Sequence, residues 1–160
     1  MPLNINAPYP TGVANPVNLR VWALLPAANA WDAAPVEVPC QGFWWLRLYF
    51  AYQRTGVAGT LGYYYDLSPY YALAGAPAAA REWFHGTLYA PGTLTPCQIA
   101  HSTVQQEFIS YCSTSADVET FISPPIHLGG CIERVRVFCR ENSAFAPGRA
   151  SVVGLFYVEG

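Results

Sequence analysis

The chain has 160 residues, of which 52% are hydrophobic, 15% aromatic and only 11% charged, with a formal net charge of −2. One domain accounts for that length and can bury a core without metal or disulfide staples. All eight basic residues are arginines and no basic run occurs, which argues against a nucleic-acid binder that draws its affinity from phosphate neutralisation. The charge content is well under the usual quarter. The surplus apolar surface points first to large subunit interfaces and second to a sticky ligand-binding surface. No positively charged leader, no apolar h-region and no run of membrane-span length is visible. The expected setting is therefore cytosolic synthesis, with exit only inside an assembly, and no membrane partner.

Residues 1–19 hold four prolines and four asparagines, so they read as an extended segment, neither helix nor central strand. Two readings stay open: a mobile tail, or an arm that lies on a neighbouring subunit. Residues 20–160 then form one domain. Arg20–Leu25 is a short strand that Pro26 ends, and Val36–Val38 offers a brief edge strand after a proline-containing connector. Gly42–Tyr65 reads as a long β-hairpin, because both arms are aromatic and the connection Thr55–Thr60 has two glycines able to take positive φ. Alternation places Trp44, Leu46, Leu48, Phe50 and Tyr52 on one face of the first arm. Phe43, Trp45, Arg47, Tyr49, Ala51 and Gln53 take the other. Both faces are rich in aromatics, which predicts cover on both sides for part of the length.

Tyr70–Arg81 is alanine-rich but interrupted by Gly75 and Pro77, so it reads as a loop. Strands are predicted at Trp83–Ala90, Gln105–Cys112 and Val118–Ile122, the last stopped by Pro124 and Pro125, with Gly129–Gly130 as a hinge. Ile132–Arg140 alternates: Glu133, Val135, Val137 and Cys139 face the core, while Arg134, Arg136, Phe138 and Arg140 face water or a partner. Ala150–Val158 is a last strand that looks buried on both sides. Roughly eight or nine strands, with turn signals about every eight to twelve residues and no long helix, predict an all-β fold. The architecture they point to is an antiparallel two-sheet β-sandwich, jelly-roll-like, with an extended N-terminal arm.

Chemistry is hard to find in this pattern. His85, His101 and His127 lie in three segments without metal-ligand spacing, so no metal or cofactor is expected. The five cysteines, Cys40, Cys97, Cys112, Cys131 and Cys139, contain no C-x-x-C pair; they read as buried free thiols, with some disulfide pairing the alternative. Asp66, Glu82 and Glu107 could form a glycosidase-type carboxylate pair only by tertiary coincidence. No nucleophile elbow, phosphate loop or dinucleotide fingerprint occurs, so no catalytic residue is assigned. Exposed aromatics could instead stack on sugar rings, and Tyr63, Tyr65, Tyr70, Tyr71 and Trp83 form the candidate cluster. The competing reading makes the same residues core or interface.

Across roughly residues 36–158 the order of features resembles the small all-β structural proteins encoded among the virion genes of tailed bacteriophages. The residues that carry the likeness are Gly42-Phe-Trp-Trp-Leu-Arg-Leu-Tyr49, the glycine-containing loop before Gly62-Tyr-Tyr-Tyr65, Trp83 with Thr87-Leu-Tyr89, Ile126-His-Leu-Gly-Gly130, Glu133-Arg-Val-Arg-Val137 and Pro147-Gly148. The resemblance implies self-assembly without catalysis. A capsid decoration, or cement, protein is the function it implies: a homo-oligomer, a trimer among the options, that bridges major capsid subunits of the virion. Partner contacts are expected from Ile5, Tyr9 and Leu19 in the arm and from Trp45, Tyr49 and Tyr64 on the second face of the hairpin. The alternatives are a tail or baseplate subunit and a surface β-sandwich that binds a glycan or receptor.

Overall fold

The computed structural model describes residues 15–27, 30–69, 83–85, 109–113, 115–130, 132–143 and 145–158. Among them are ten strands and no helix: β1 (Val17–Leu24), β2 (Val38–Pro39), β3 (Trp45–Gln53), β4 (Gly59–Pro69), β5 (Phe84–His85), β6 (Ile109–Ser113), β7 (Glu119–Ile122), β8 (Ile126–His127), β9 (Ile132–Glu141) and β10 (Arg149–Tyr157). They form two antiparallel sheets. In the first, the order is β1-β10-β3, with β7 and β8 sharing the far side of β3. In the second, the order is β2-β9-β4, with β5 and β6 sharing the far side of β4.

The two arms of the predicted hairpin do not pair with each other. β3 bonds to β10, β7 and β8, while β4 bonds to β9, β6 and β5, so the arms belong to different sheets. They meet face to face, with the rings of Phe50 and Tyr63 4.4 Å apart. The physical reason lies in their apolar stripes. Leu46, Leu48, Phe50 and Tyr52 on β3 and Leu61, Tyr63 and Leu67 on β4 are all buried in one core. Side by side in a hairpin, these stripes would share one face of one sheet and still need a cover; stacked across an arch, each covers the other.

The connecting glycines also serve a different purpose from the predicted one. Among the described residues the glycines with positive φ are Gly42, Gly129 and Gly130, at φ 83°, 65° and 73°. Gly59 is needed for space instead: a Cβ there would overlap the Tyr52 hydroxyl and lie 2.8 Å from the Arg54 Cβ. At the start of β3 the turn at Gly42 shifts the alternation. Phe43 enters the core against Phe156, with centroids 5.4 Å apart, and Trp44 is left 47% exposed, the reverse of the predicted order.

Strand β1 begins at Val17, three residues before the predicted strand, and this moves Leu19 from the predicted arm into the core at 2% exposure. The Asn15 side chain continues the pairing, because its amide donates to the Phe156 carbonyl at 2.5 Å and its oxygen accepts from the Phe156 N–H at 3.0 Å. The register of β1 slips on both sides of Arg20, whose guanidinium donates to the carbonyls of Ala23, Leu24 and Ala150. Arg20 also pairs with Asp32 at 3.0 Å, and Asp32 accepts the N–H of Cys139 from the second sheet. One ion pair thus ties the two sheets together near their edge. Val135, Val137 and Cys139 face the core as predicted. β10 is fully buried on its inner face but only half-buried along Ser151, Val153, Leu155 and Tyr157.

Candidate interaction surface

Cross-strand register builds the outer face of the first sheet row by row. Trp45 lies between His127 and Tyr157, Arg47 lies opposite Leu155, Tyr49 sits between Ile122 and Val153, and Ala51 sits between Thr120 and Ser151. Apolar side chains therefore occupy most positions of a face that should be polar if it met only water. Tyr49 is 37% exposed and Ile122 55%, and a shallow trough runs between them, Ala51, Ser151 and Val153. Beside it, Trp45, Arg47, Pro125 and Tyr157 line an open pocket of about 370 Å³. The gap between β7 and β8 at this point is closed by Ser123, whose N–H donates to the Leu48 carbonyl and whose hydroxyl accepts the Leu48 N–H.

The outer face of the second sheet is different because the chain covers it. The Arg136 guanidinium lies 4.1 Å from the ring centre of Trp83 and 5.1 Å from that of Phe138. Phe138 stacks on Tyr64 at 4.5 Å, Tyr64 meets the edge of Trp31 at 4.6 Å, and Arg140 lies 4.5 Å over Trp31. Asp66, itself buried, accepts from Nε and Nη2 of Arg136 at 3.1 and 3.0 Å. This ladder is the arginine face of β9. It is filled by aromatic planes of the same chain, with guanidinium and ring alternating as cation–π contact favours.

Placed on this framework, the predicted site residues separate. Trp45 and Tyr49 share the outer face of the first sheet, with the Trp45 ring 4.7 Å from His127. Tyr64 belongs to the other sheet and is only 8% exposed, so it cannot join them in one surface. Leu19 is core, and Ile5 and Tyr9 lie outside the described residues. The proposed sugar-stacking cluster does not assemble either. Tyr63 is 1% exposed and packed against Phe50, and Tyr65 packs against the core, because alternation on β4 turns both inward. Burial pushes the Tyr65 hydroxyl up to about 12 from its ordinary 10.0, and burial does the same for Tyr64. Trp83 is half-buried under Arg136, and Tyr70 and Tyr71 lie outside the described residues.

Sequence reasoning missed two features. One is the pocket around Arg47, which on paper is one more residue of an alternating strand. The other is a buried knot: Glu141 is fully buried and accepts the Tyr52 hydroxyl at 2.6 Å, the Gly148 N–H at 2.9 Å and the Thr60 N–H at 2.8 Å. Cys40 and Cys139 are free and buried. Burial pushes the Cys40 thiol up to about 12 and raises that of Cys139 further, so neither is a nucleophile near neutral pH. Among the described residues no group of three or more His, Cys, Asp or Glu side chains could hold a metal ion. Compared with protein-family models, curated proteins and solved structures, the chain finds no match.

Proposed function

We propose that this chain is a non-catalytic structural subunit that adds to a larger protein shell through the outer face of its first sheet, in the manner of a capsid decoration protein of a tailed bacteriophage. In this reading the two sheets form a jelly-roll-like sandwich, the segment before Asn15 acts as an arm, and the chain works as a homo-oligomer in the virion. The observation that carries it is the asymmetry between the two outer faces. The second sheet is roofed by Trp31 and Trp83 of its own chain, whereas the first presents Tyr49, Ile122, Val153 and Leu155 without such a roof among the described residues. An apolar sheet face of that kind is stabilised by burial against another surface, and a low charge content suits a chain that spends its life in contact. Many weak contacts, repeated over a lattice, would add stability that a single copy lacks.

The test is the copy number of this protein in purified particles, by quantitative mass spectrometry against the main shell protein. Copies in a fixed, high ratio to the shell are expected. A handful per particle would move the protein to a vertex, neck or tail, and absence would remove the assembly reading.

A further inference from the structure

Arg47 is a charged residue in the middle of the largely apolar outer face of the first sheet. It is half-buried, shares a pocket with Trp45, Pro125 and Tyr157, and its Nε is closed off from water with no hydrogen-bond partner among the described residues. Among the described residues no carboxylate lines the pocket. A guanidinium stays protonated under all ordinary conditions, so this is a fixed positive charge, partly stripped of water, on a surface that is largely apolar. A half-buried guanidinium gains from a counter-charge placed on whichever donors it still presents. With Nε closed off, the donors left to a ligand are on the terminal nitrogens, which can take both oxygens of one carboxylate end-on. One positive charge balances a monoanion and leaves a phosphate dianion partly uncompensated.

The pocket and the trough beside Tyr49, Ala51, Ile122 and Val153 are separate hollows that follow one another along the same outer face of β3, on which Arg47 and Tyr49 are successive residues. Residues two apart on a strand are roughly 7 Å apart, in the face and in any extended segment laid along it. From this geometry we infer that the surface takes an extended segment of a neighbouring subunit, which sets an Asp or Glu carboxylate on Arg47 and, two residues away, an apolar side chain in the trough. The inference rests on the reading of this face as an assembly surface and names the chemistry of what covers it. Arg, Trp and Tyr at the centre of a pocket form the composition in which binding energy concentrates. The carboxylate supplies register, since an apolar trough alone would accept a segment at several positions.

The test uses two blocked peptides, Ser-Glu-Thr-Leu-Ser and Ser-Gln-Thr-Leu-Ser, titrated into the full chain. The readout is heteronuclear NMR of the arginine Nε–H groups and the isoleucine methyls, with Arg47 assigned through Arg47→Lys. The closed-off Nε–H exchanges slowly with water, which makes it a usable reporter. The expected result is saturable shifts at both Arg47 and Ile122 with the glutamate peptide, about tenfold weaker binding of the glutamine peptide, and loss of that preference in Arg47→Met. Arg47→Met itself should fold with an unchanged or higher Tm, because it removes an unpaired charge. Equal binding of the two peptides, binding of neither, or a shift at Arg47 without one at Ile122 would overturn the inference. Particle counting separates this from the assembly reading. If the wild-type chain occupies particles and Arg47→Met does so equally well, the reading stands and the carboxylate contact falls; if the wild type is absent from particles, the reading itself falls.

Discussion

At the scale of single residues, the strongest commitments of this chain are buried polar groups that its sequence does not advertise. Glu141 stands at the end of β9 and looks like the first residue of a polar turn, yet its carboxylate gathers donors from β3, β4 and the turn before β10. Glu141→Gln replaces one acceptor oxygen with a donor that would face N–H or O–H groups, and an expected loss of about 2–4 kcal/mol should appear in the urea midpoint. Tyr52→Phe leaves the carboxylate short of one charge-assisted bond and should cost about 1.5–3 kcal/mol. The two losses should fall well short of additive, since both act on one network. The buried thiol of Cys40 gives a pH prediction with a definite sign. Its pKa is held at about 12 by burial against 9.0 in the unfolded chain, so the unfolded state loses a proton first as pH rises. Its contribution to stability is present in full below pH 9 and is lost above it, at up to on the order of 1.4 kcal/mol per pH unit. The urea midpoint of the wild-type chain should therefore decline more steeply from about pH 9 to 10.5 than that of Cys40→Ala. Parallel declines would show that this thiol does not titrate as its burial requires.

Elements show what alternation can and cannot say. The stripe Leu46, Leu48, Phe50 and Tyr52 and the stripe Val135, Val137 and Cys139 were both legible as core, because period-two alternation reports which side of a strand is inward. It does not report the neighbour. A six-residue connection with two glycines suits a hairpin or an arch equally well. The choice is made by long-range pairing of β3 with β10 and of β4 with β9, information spread over the whole chain. The shift of β1 onto Val17 was illegible for a related reason: the proline-rich composition before it masks Leu19, whose burial follows from packing beside Gly154, where a Cβ would lie 2.9 Å from the Leu19 Cδ1. The arch makes a measurable claim. Phe50→Ala and Tyr63→Ala should each cost about 3–5 kcal/mol, and a double-mutant cycle should return a coupling of about 0.5–1.5 kcal/mol, because the rings pack against each other, tilted, across the interface between sheets. A coupling near zero would show that the rings do not meet across that interface.

For the whole molecule, the question is why, among the described residues, one outer face is sealed and the other open. Both carry aromatics in sequence, so composition could not distinguish them. The difference is made by Trp31, which lies before β2, and Trp83, beside β5, which lie over the second sheet. On the first sheet, His127 flanks Trp45 at one end, and beyond it Tyr49 and Ile122 stay accessible. Surface substitutions away from buried networks usually change stability by less than about 0.5 kcal/mol. The pair Tyr49→Asp and Ile122→Asp sets like charges on one cross-strand pair, so it should cost about 1 kcal/mol and lower the thermal transition by a few degrees without unfolding the chain. The same pair places two carboxylates in the middle of the surface proposed to be covered, where desolvating them without partners opposes docking. Particle occupancy should fall at least about tenfold while the isolated chain remains folded and better behaved at high concentration. A matched pair on the sealed face cannot serve as the control, because Tyr64 and Phe138 hold the ladder together. Val57, exposed on the connection between β3 and β4, can, when each single variant is compared with it: Val57→Asp adds the charge of one of the two substitutions off the face and should leave both stability and occupancy unchanged. Equal loss of occupancy in Val57→Asp would mean that net charge, and not this face, governs association.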